Sequence, residues 1–150
     1  MATPTLSLTG RALRLLGQRE HSRAELERKL APHEDAPGEL AAVLEKLAAK
    51  DLQSDQRAVD SLVYRRGAKL GTQRLRQEMQ SKGMDPHAVA QAVALLRTSE
   101  QSRAFEVWRK KFGSPAATPA ERAKQVHFLA GRGFSGEAIA RVISGAFDAD

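Results

Sequence analysis

The sequence predicts an all-α fold, built as a tandem array of three three-helix repeats. The alternation of apolar and polar residues that is typical of strands is missing, and Ala, Leu, Arg, Gln and Glu, which suit helices, dominate. In addition, the segment "MQSKGMDPHAVAQAV" of residues 79–93 returns in similar form as "LAGRGFSGEAIARVI" at residues 129–143. A period near 50 residues is typical of repeat arrays, whose units stack on their neighbours.

Start signals divide the chain into nine short helices. Ser22 and Thr118 each open a capping box, with Glu25 and Glu121 three residues further on. Asp85 is an N-cap residue followed by a proline, which suits the first helical position. The predicted helices are residues 9–18, 22–31, 37–50, 54–67, 71–83, 85–97, 100–112, 118–132 and 135–146.

Two glycines predict tight turns between consecutive helices. Gly83 and Gly133 stand where a helix must stop, at a position that favours a left-handed backbone. The apolar residue that follows, Met84 or Phe134, can fold back on the residue five positions earlier, as in a Schellman motif. Because the next helix starts almost at once, each turn forms a helix-turn-helix corner.

The repetition extends over most of the chain. At a spacing of 49 residues Leu26 matches Leu75, and at a spacing of 50 residues Val89 matches Ile139. The first copy is the least regular, because "LAPHEDAPGE" replaces the glycine turn with a longer acidic connection. We therefore predict a flexible N-terminal segment, residues 1–8, and three repeats, residues 9–52, 53–98 and 99–147.

Positive charge is concentrated in the middle of the chain, which has a formal net charge of +6. Residues 1–52 are neutral overall, whereas residues 53–98 hold eight basic and four acidic groups. Residues 61–77 contain no acid, and their basic residues are Arg65, Arg66, Lys69, Arg74 and Arg76. Such a stretch attracts polyanions, above all the phosphate backbone of a nucleic acid.

Several classes of protein are excluded or disfavoured. Without cysteine there is no disulfide and no thiolate metal site, which suits a reducing compartment. No apolar run approaches the roughly 18 residues of a membrane helix, and no secretory signal stands at the N-terminus. We expect a soluble, cytoplasmic, monomeric protein without membrane contact.

A search for catalytic and metal-binding patterns finds none. The four histidines have no partner at metal-ligand spacing, and the cluster at residues 33–35 falls in a proline-flanked loop. No glycine-rich nucleotide-binding loop with its lysine is present. The aromatic residues Phe105, Trp108 and Phe112 recur at helical spacing and are interpreted as core. The sequence therefore predicts no enzyme, no metal and no cofactor.

Two segments of the chain are specific enough to compare with a known family, "KDLQSDQRAVDSLVYRRGAKLGTQRLRQEMQSKGMD" and "VHFLAGRGFSGEAIARVI". They resemble the RecX family, regulatory proteins of the RecA recombinase, and the resemblance covers about residues 10–146. Asp55, Arg57, Arg66, Gly71, Gly83 and residues 132–135 fit the family pattern position by position.

The resemblance implies an elongated, curved array of three repeats that acts as a non-enzymatic regulator. Its partners would be the RecA recombinase filament and the single-stranded DNA within it, with duplex DNA as a further candidate. It would bind along the groove of that filament and inhibit the ATPase, strand-exchange and coprotease activities of RecA.

The basic residues are the candidates for this contact. The predicted site comprises Arg65, Arg66, Lys69, Arg74, Arg76, Lys82, Lys110, Lys111, Lys124 and Arg132. Six of them lie near predicted helix C-termini, where a cation is favourable without any partner. That interpretation does not cover Arg74, which falls in a first helical turn. Since Arg74 and Arg76 match Glu25 and Glu27 at a spacing of 49 residues, we expect the fold to tolerate either charge at these positions.

An alternative function is independent binding of duplex DNA in the helix-turn-helix manner. The segment "TQRLRQEMQ" offers glutamine and arginine side chains that could reach base edges. Comparing affinities for bare duplex, bare single strand and RecA-coated single strand separates the two functions.

Overall fold

The computed structural model describes residues 5–145, which contain eight α-helices, one short 3₁₀ helix and no strand. This agrees with the all-α prediction. Residues 1–4 of the predicted N-terminal segment and the end of the last predicted helix, at residue 146, lie outside the described residues. The helices are α1 (Leu8–Gln18), α2 (Arg23–Leu30), the 3₁₀ helix (Ala31–His33), α3 (Glu39–Ala49), α4 (Asp55–Arg66), α5 (Thr72–Ser81), α6 (Pro86–Lys111), α7 (Pro119–Gly131) and α8 (Gly136–Ile143).

The prediction of nine short helices is wrong at one place, because residues 85–97 and 100–112 belong to one helix. This helix, α6, runs for 26 residues through the expected break at Thr98 and Ser99. The hydroxyls of these two residues donate to the carbonyls of Leu95 (2.6 Å) and Leu96 (3.2 Å) instead of capping a new helix. One helix therefore ends the second repeat and begins the third.

Three hydrophobic clusters follow one another along the chain. Leu26 lies in the cluster of α1–α3, Leu62 in the cluster of α4, α5 and the first half of α6, and Leu129 in the cluster of α7, α8 and the second half of α6. These groups of helices are called the first, second and third repeats below. Trp108 of the predicted aromatic stripe is buried and donates its Nε1–H to Gln125 (2.9 Å), and Phe105 and Phe112 pack against the same cluster but are only partly buried. The repeat boundaries drawn from the sequence remain a prediction.

Both glycine turns have the predicted geometry. Gly83 has a φ of 63° and Gly133 a φ of 89°, in the left-handed region. The amide of Met84 donates to the carbonyl of Met79 at 3.1 Å, and the amide of Phe134 donates five residues back at 3.3 Å. This is the hydrogen bond that defines a Schellman motif.

A third turn of this kind, at the end of α3, was not predicted. Here Asp51 holds the left-handed position, with a φ of 58°, and the amide of Leu52 donates to the carbonyl of Leu47 at 2.9 Å. Aspartate is one of the few side chains that this region tolerates. Arg57 reinforces the turn by donating to the Asp51 carboxylate (2.9 Å) and carbonyl (2.7 Å).

The two glycine turns also connect neighbouring repeats. The first junction joins the first and second repeats, and there a Cβ on Gly83 would lie 2.5 Å from the Cβ of Ala24 in α2. The second junction joins the second and third repeats, and there a Cβ on Gly133 would lie 2.3 Å from the Cβ of Arg74 in α5. Each turn thus packs against the second helix of the preceding repeat, at a distance that only glycine permits.

One carboxylate at each junction accepts backbone amides from both sides. Asp55 accepts the amides of Arg23 and Asp85, each at 2.8 Å. Glu100 accepts the first amide of α5 at 3.2 Å and the amide of Ser135 at 3.3 Å. A carboxylate suits these positions, because the first amides of a helix lack partners within the helix and carry partial positive charge.

Arg103 fixes α6 to the connection between α4 and α5. Its half-buried guanidinium donates to the carbonyls of Gly67 (3.1 Å) and Leu96 (2.9 Å), to the hydroxyl of Thr72 (2.9 Å) and to the carbonyl of Leu70. Without this side chain, the carbonyls would lose a charged donor in a region with little access to water.

The first junction contains a buried histidine. His21 is 1% exposed, and its backbone carbonyl accepts from Gln53 at 3.3 Å. Its Nδ1 donates to the carbonyl of Arg19 (2.9 Å), so the unprotonated Nε2 accepts from the Lys29 ammonium (3.1 Å). Burial is the main cause that lowers the pKa of His21, and the charges of Arg19 and Lys29 lower it further. The native state therefore favours a neutral ring.

Candidate nucleic-acid interface

The ten predicted cations do not form one patch. Arg66, Arg74 and Lys82 contribute to contacts within and between repeats, whereas Arg76 borders a groove between α5 and α6. The other six lie at the ends of α4, α6 and α7 or on the surface of α7, and are Arg65, Lys69, Lys110, Lys111, Lys124 and Arg132.

Arg66 and Arg74 have structural partners. Arg66 forms a bidentate ion pair with Glu78, with both nitrogen–oxygen distances at 2.8 Å. Arg74 donates to the carbonyl of Gly131 (3.3 Å), at the C-terminal end of α7. A cation in the first turn of α5 thus opposes the negative end of a neighbouring helix. We consequently expect glutamate at position 74 to weaken the second junction, whereas the sequence alone predicted tolerance of either charge.

Two of the predicted cations, Lys82 and Arg65, lie near each other at the first junction. The carbonyl of Lys82 accepts from the Ser22 hydroxyl at 2.6 Å. Burial lowers the pKa of the Lys82 ammonium, the nearby Glu25 raises it, and the charges of Arg19 and Arg65 lower it again. Arg65 and Lys82 are therefore close enough to repel each other, while the carboxylates of Glu25 and Glu78 oppose that repulsion.

A groove of about 640 Å³ runs between α5 and α6 of the second repeat. Met84, Val89 and Val93 form an apolar floor, and Arg76 and Arg97 stand at its border. Among the described residues, 5–145, no carboxylate lines the groove. Within residues 5–145, neither of these two guanidinium groups takes part in a hydrogen bond or an ion pair. The groove, called the arginine groove below, therefore offers two positive charges without an ion-pair partner beside an apolar surface. Both arginines also line an adjoining hollow of about 120 Å³ with Glu100, whose carboxylate accepts two backbone amides.

Arg97 is a candidate that the sequence analysis missed. It lies outside the acid-free stretch and next to the expected end of a helix, so charge counting did not select it. The helical spacing contained the signal, because Ala90 and Ala94 lie seven and three residues earlier and line the same groove.

A second group of cations lies in the third repeat. The Lys111 ammonium is 5.3 Å and the Arg132 guanidinium 5.0 Å from the ring centre of Phe128, within the range of cation–π contacts. Lys110 is exposed beside them, and Lys124 borders a hollow of about 300 Å³ on the same repeat. Glu121 lines the hollow beside Lys124, and Glu106 lies near Lys110. Lys111 and Arg132, held on the surface by the Phe128 ring, are therefore the cations of this group best placed to meet an anion.

No metal or membrane site emerges from the described part of the chain. Among residues 5–145, no three His, Asp or Glu side chains are grouped so that they could hold a metal ion. No helix in this range combines the length and the apolar character that crossing a bilayer requires.

Two segments of the chain match models of known protein families. Residues 10–47 match the model described as "RecX, first three-helix domain", and residues 99–143 match "RecX, third three-helix domain". Curated relatives extend the similarity over almost the whole chain. "Regulatory protein RecX" of Leptothrix cholodnii is 49% identical over 93% of this chain and 89% of its own length. The protein of the same name from Ralstonia nicotianae is 47% identical, over 97% of this chain and 93% of its own length.

Two solved structures share the fold. The crystal structure of RecX from Lactobacillus salivarius superposes with a TM-score of 0.72 at 22% identity, over 91% of this chain and 92% of that chain. A second crystal structure, of a "regulatory protein RecX", has a TM-score of 0.73 at 18% identity, over 91% of this chain and 71% of the other.

Proposed function

Since this chain belongs to the RecX family, we propose that it is a non-enzymatic regulator of the RecA recombinase. It binds the filament that RecA forms on single-stranded DNA, and it inhibits the ATPase, strand-exchange and coprotease activities of that filament. The observation that carries this proposal is the arginine groove, a cationic surface whose two guanidinium groups have no ion-pair partner within residues 5–145, on a chain with close RecX relatives.

The arginine groove is the first proposed contact with DNA. Phosphates approach Arg76 and Arg97, and the apolar floor formed by Met84, Val89 and Val93 contacts sugars or bases. Surfaces that combine cations with apolar contact are typical of single-strand binding, because the bases are free to leave the stack. The open groove accommodates a strand that lies along α6.

The third repeat supplies a second proposed contact. Lys111 and Arg132 are held at Phe128, and Lys110 lies beside them, so three cations face solvent at the junction of α6 and α7. Two separate cationic surfaces on one chain suit a long, repetitive partner such as a filament. Arg65, Lys69, Lys82 and Lys124 stay in the proposed interface as exposed or partly exposed cations.

Independent recognition of duplex DNA is the less favoured alternative. A helix that reads the major groove presents its N-terminal residues to base edges. The N-terminus of α5 instead packs against the third repeat, where the amide of Gly71 donates to the carbonyl of Arg132 at 2.7 Å. The second junction thus buries Gly71 and Thr72 at the N-terminal end of α5, the end that such a helix would present to the major groove.

The DNA-dependent ATPase of RecA tests this proposal directly. We expect substoichiometric amounts of the protein to lower the rate, and we expect tighter binding to RecA-coated single strand than to bare single strand or bare duplex. An unchanged ATPase together with a preference for bare duplex would instead support the alternative.

A matched pair of variants tests the arginine groove. We expect Arg76→Glu with Arg97→Glu to weaken inhibition strongly, because two attractive charges become repulsive. The control, Lys46→Glu with Lys50→Glu, makes the same charge change on exposed residues of the first repeat and should inhibit nearly as well as wild type. Equal inhibition by both variants would remove the groove from the interface.

A further inference from the structure

The side of α6 that is opposite to the arginine groove bears an exposed apolar surface. Tyr64 is 90% and Leu95 is 73% exposed, the highest values among the large apolar side chains of residues 5–145. Both lie on one hollow of about 460 Å³ between α4 and α6, with Val63, Ala92 and Leu96 beneath them. We call this surface the Tyr64 face. Two large side chains that expose so much apolar area next to each other are typical of a protein–protein contact.

The charge of the Tyr64 face distinguishes it from the arginine groove. As far as the described part of the chain goes, its lining contains one carboxylate, Asp60, and no cation, although the second repeat is the most basic part of the chain. Asp60 accepts a hydrogen bond from the neutral amide of Gln56 (2.9 Å), so its negative charge is not neutralised. A phosphate backbone would meet repulsion here and no compensating cation.

Helix α6 separates these two surfaces. Val93 and Arg97 line the arginine groove, whereas Leu95, Leu96 and Ser99 line the Tyr64 face. The second repeat therefore presents a cationic surface on one side of a helix and an apolar, weakly acidic surface on the other. A partner made of both nucleic acid and protein has a counterpart for each of them.

We propose that the Tyr64 face is a protein-docking surface. Its partner is a protein surface with exposed apolar side chains and a cation placed opposite Asp60. Under the proposed function, on which this inference rests, that partner is the protein component of the RecA filament, while the arginine groove contacts DNA.

The variant Tyr64→Ala with Leu95→Ala tests this assignment. Both side chains are exposed and alanine favours helix, so we expect the helical spectrum and melting temperature to stay near wild type. We expect the concentration needed for half-maximal inhibition of the RecA ATPase to rise at least about tenfold, the size of effect seen at interface hot spots. Affinity for bare single-stranded DNA should remain within about twofold of wild type.

Two further variants give opposite expectations. Leu13→Ala with Leu52→Ala removes exposed apolar groups from the first repeat and should inhibit like wild type. Asp60→Lys should weaken inhibition, because it places a cation opposite a cation, and should slightly strengthen binding to bare single strand.

The outcomes separate this inference from the proposed function. If wild type inhibits RecA and the Tyr64 and Leu95 variant inhibits equally well, the Tyr64 face is not a docking surface. If that variant loses affinity for bare single strand, Tyr64 stacks on bases and the inference is wrong. If wild type leaves the RecA ATPase unchanged, the proposed function fails and this inference fails with it.

Discussion

At the scale of single residues, Gly133 meets two requirements at once. Its backbone is left-handed, with a φ of 89°, and its Cα faces α5 so closely that a Cβ would lie 2.7 Å from the backbone nitrogen of Arg74. Most turn glycines meet only the first requirement. At Gly133, a side chain would strain the turn and separate two repeats.

We expect Gly133→Val to lower the free energy of unfolding by at least about 2 kcal/mol, since left-handed strain and overpacking add. Thermal or urea unfolding measures this loss. Gly131→Ala is the matched control, because a Cβ there meets nothing within 4 Å and alanine favours helix, so stability should be unchanged or higher. A melting curve of Gly133→Val that overlays wild type would contradict the assigned turn.

The buried His21 makes stability depend on pH. Its pKa is lowered in the native state by burial, so the unfolded chain binds a proton more readily than the folded chain. The stability contributed by the neutral ring is complete above the unfolded pKa of about 6.5 and is lost as pH falls below that value.

We therefore expect the free energy of unfolding to fall between about pH 7 and pH 5, and His21→Asn to flatten that slope even if it lowers stability overall. Urea unfolding at several pH values measures both slopes. Staying above pH 5 limits the contribution of Glu25, whose pKa is lowered: burial raises it, but the hydrogen bonds from Arg19 and Ser22 outweigh burial. Identical slopes would show that His21 does not titrate as its surroundings imply.

At the scale of helices, local signals were readable in the sequence and signals that depend on packing were not. The turns at Gly83 and Gly133 were predicted, because glycine and the following apolar residue decide them locally. The predicted helix break at residues 98–99 is wrong, because Thr98 and Ser99 can either cap a new helix or donate back to the carbonyls of the same helix. Continuous packing of α6 against both repeats decides between these two possibilities, and that packing cannot be read from the sequence.

The candidate site divides in the same way. The acid-free stretch pointed to Arg76 from composition alone. Arg97 lies outside that stretch, so only its helical spacing from Ala90 and Ala94 could have pointed to it, and the partner of Arg74 lies 57 residues away in α7. Contacts between distant segments depend on how the repeats pack together. Counting charges along the chain therefore selects cations, but it does not show which of them have partners within the fold.

Helix α6 also depends on Arg103 to hold the connection between α4 and α5. We expect Arg103→Met to lower the free energy of unfolding by about 2 kcal/mol, because the carbonyls of Gly67 and Leu70 lose their charged donor. Hydrogen exchange should accelerate at residues 67–72, where those acceptors lie. Arg109→Met on the same helix removes only an exposed pair with Glu106 and should leave the free energy of unfolding near its wild-type value. Equal effects of the two variants would contradict the role of Arg103.

At the scale of the whole molecule, the two sides of α6 differ in how salt should affect them. Contacts with phosphates release counterions, whereas contacts through Tyr64 and Leu95 bury apolar area. Affinity for bare single strand should fall at least about tenfold from about 50 to about 200 mM salt. Arg76→Glu with Arg97→Glu should reduce that slope by about two phosphate contacts. Fluorescence anisotropy at graded salt measures both, and a flat slope for wild type would exclude phosphate contacts.

The continuity of α6 has a consequence for how the chain can change in length. Each residue of an α-helix turns the chain by about 100° and advances it by about 1.5 Å. One extra residue between Pro86 and Lys111 would rotate the third repeat by that angle relative to the second, and would misalign Glu100 and the turn at Gly133 with α5. The connection at residues 34–38 lies within the first repeat, so an extra residue there would not rotate one repeat relative to another. Insertions and deletions in relatives should therefore occur at residues 34–38 and be rare in α6, because the length of α6 sets the orientation of the third repeat relative to the second.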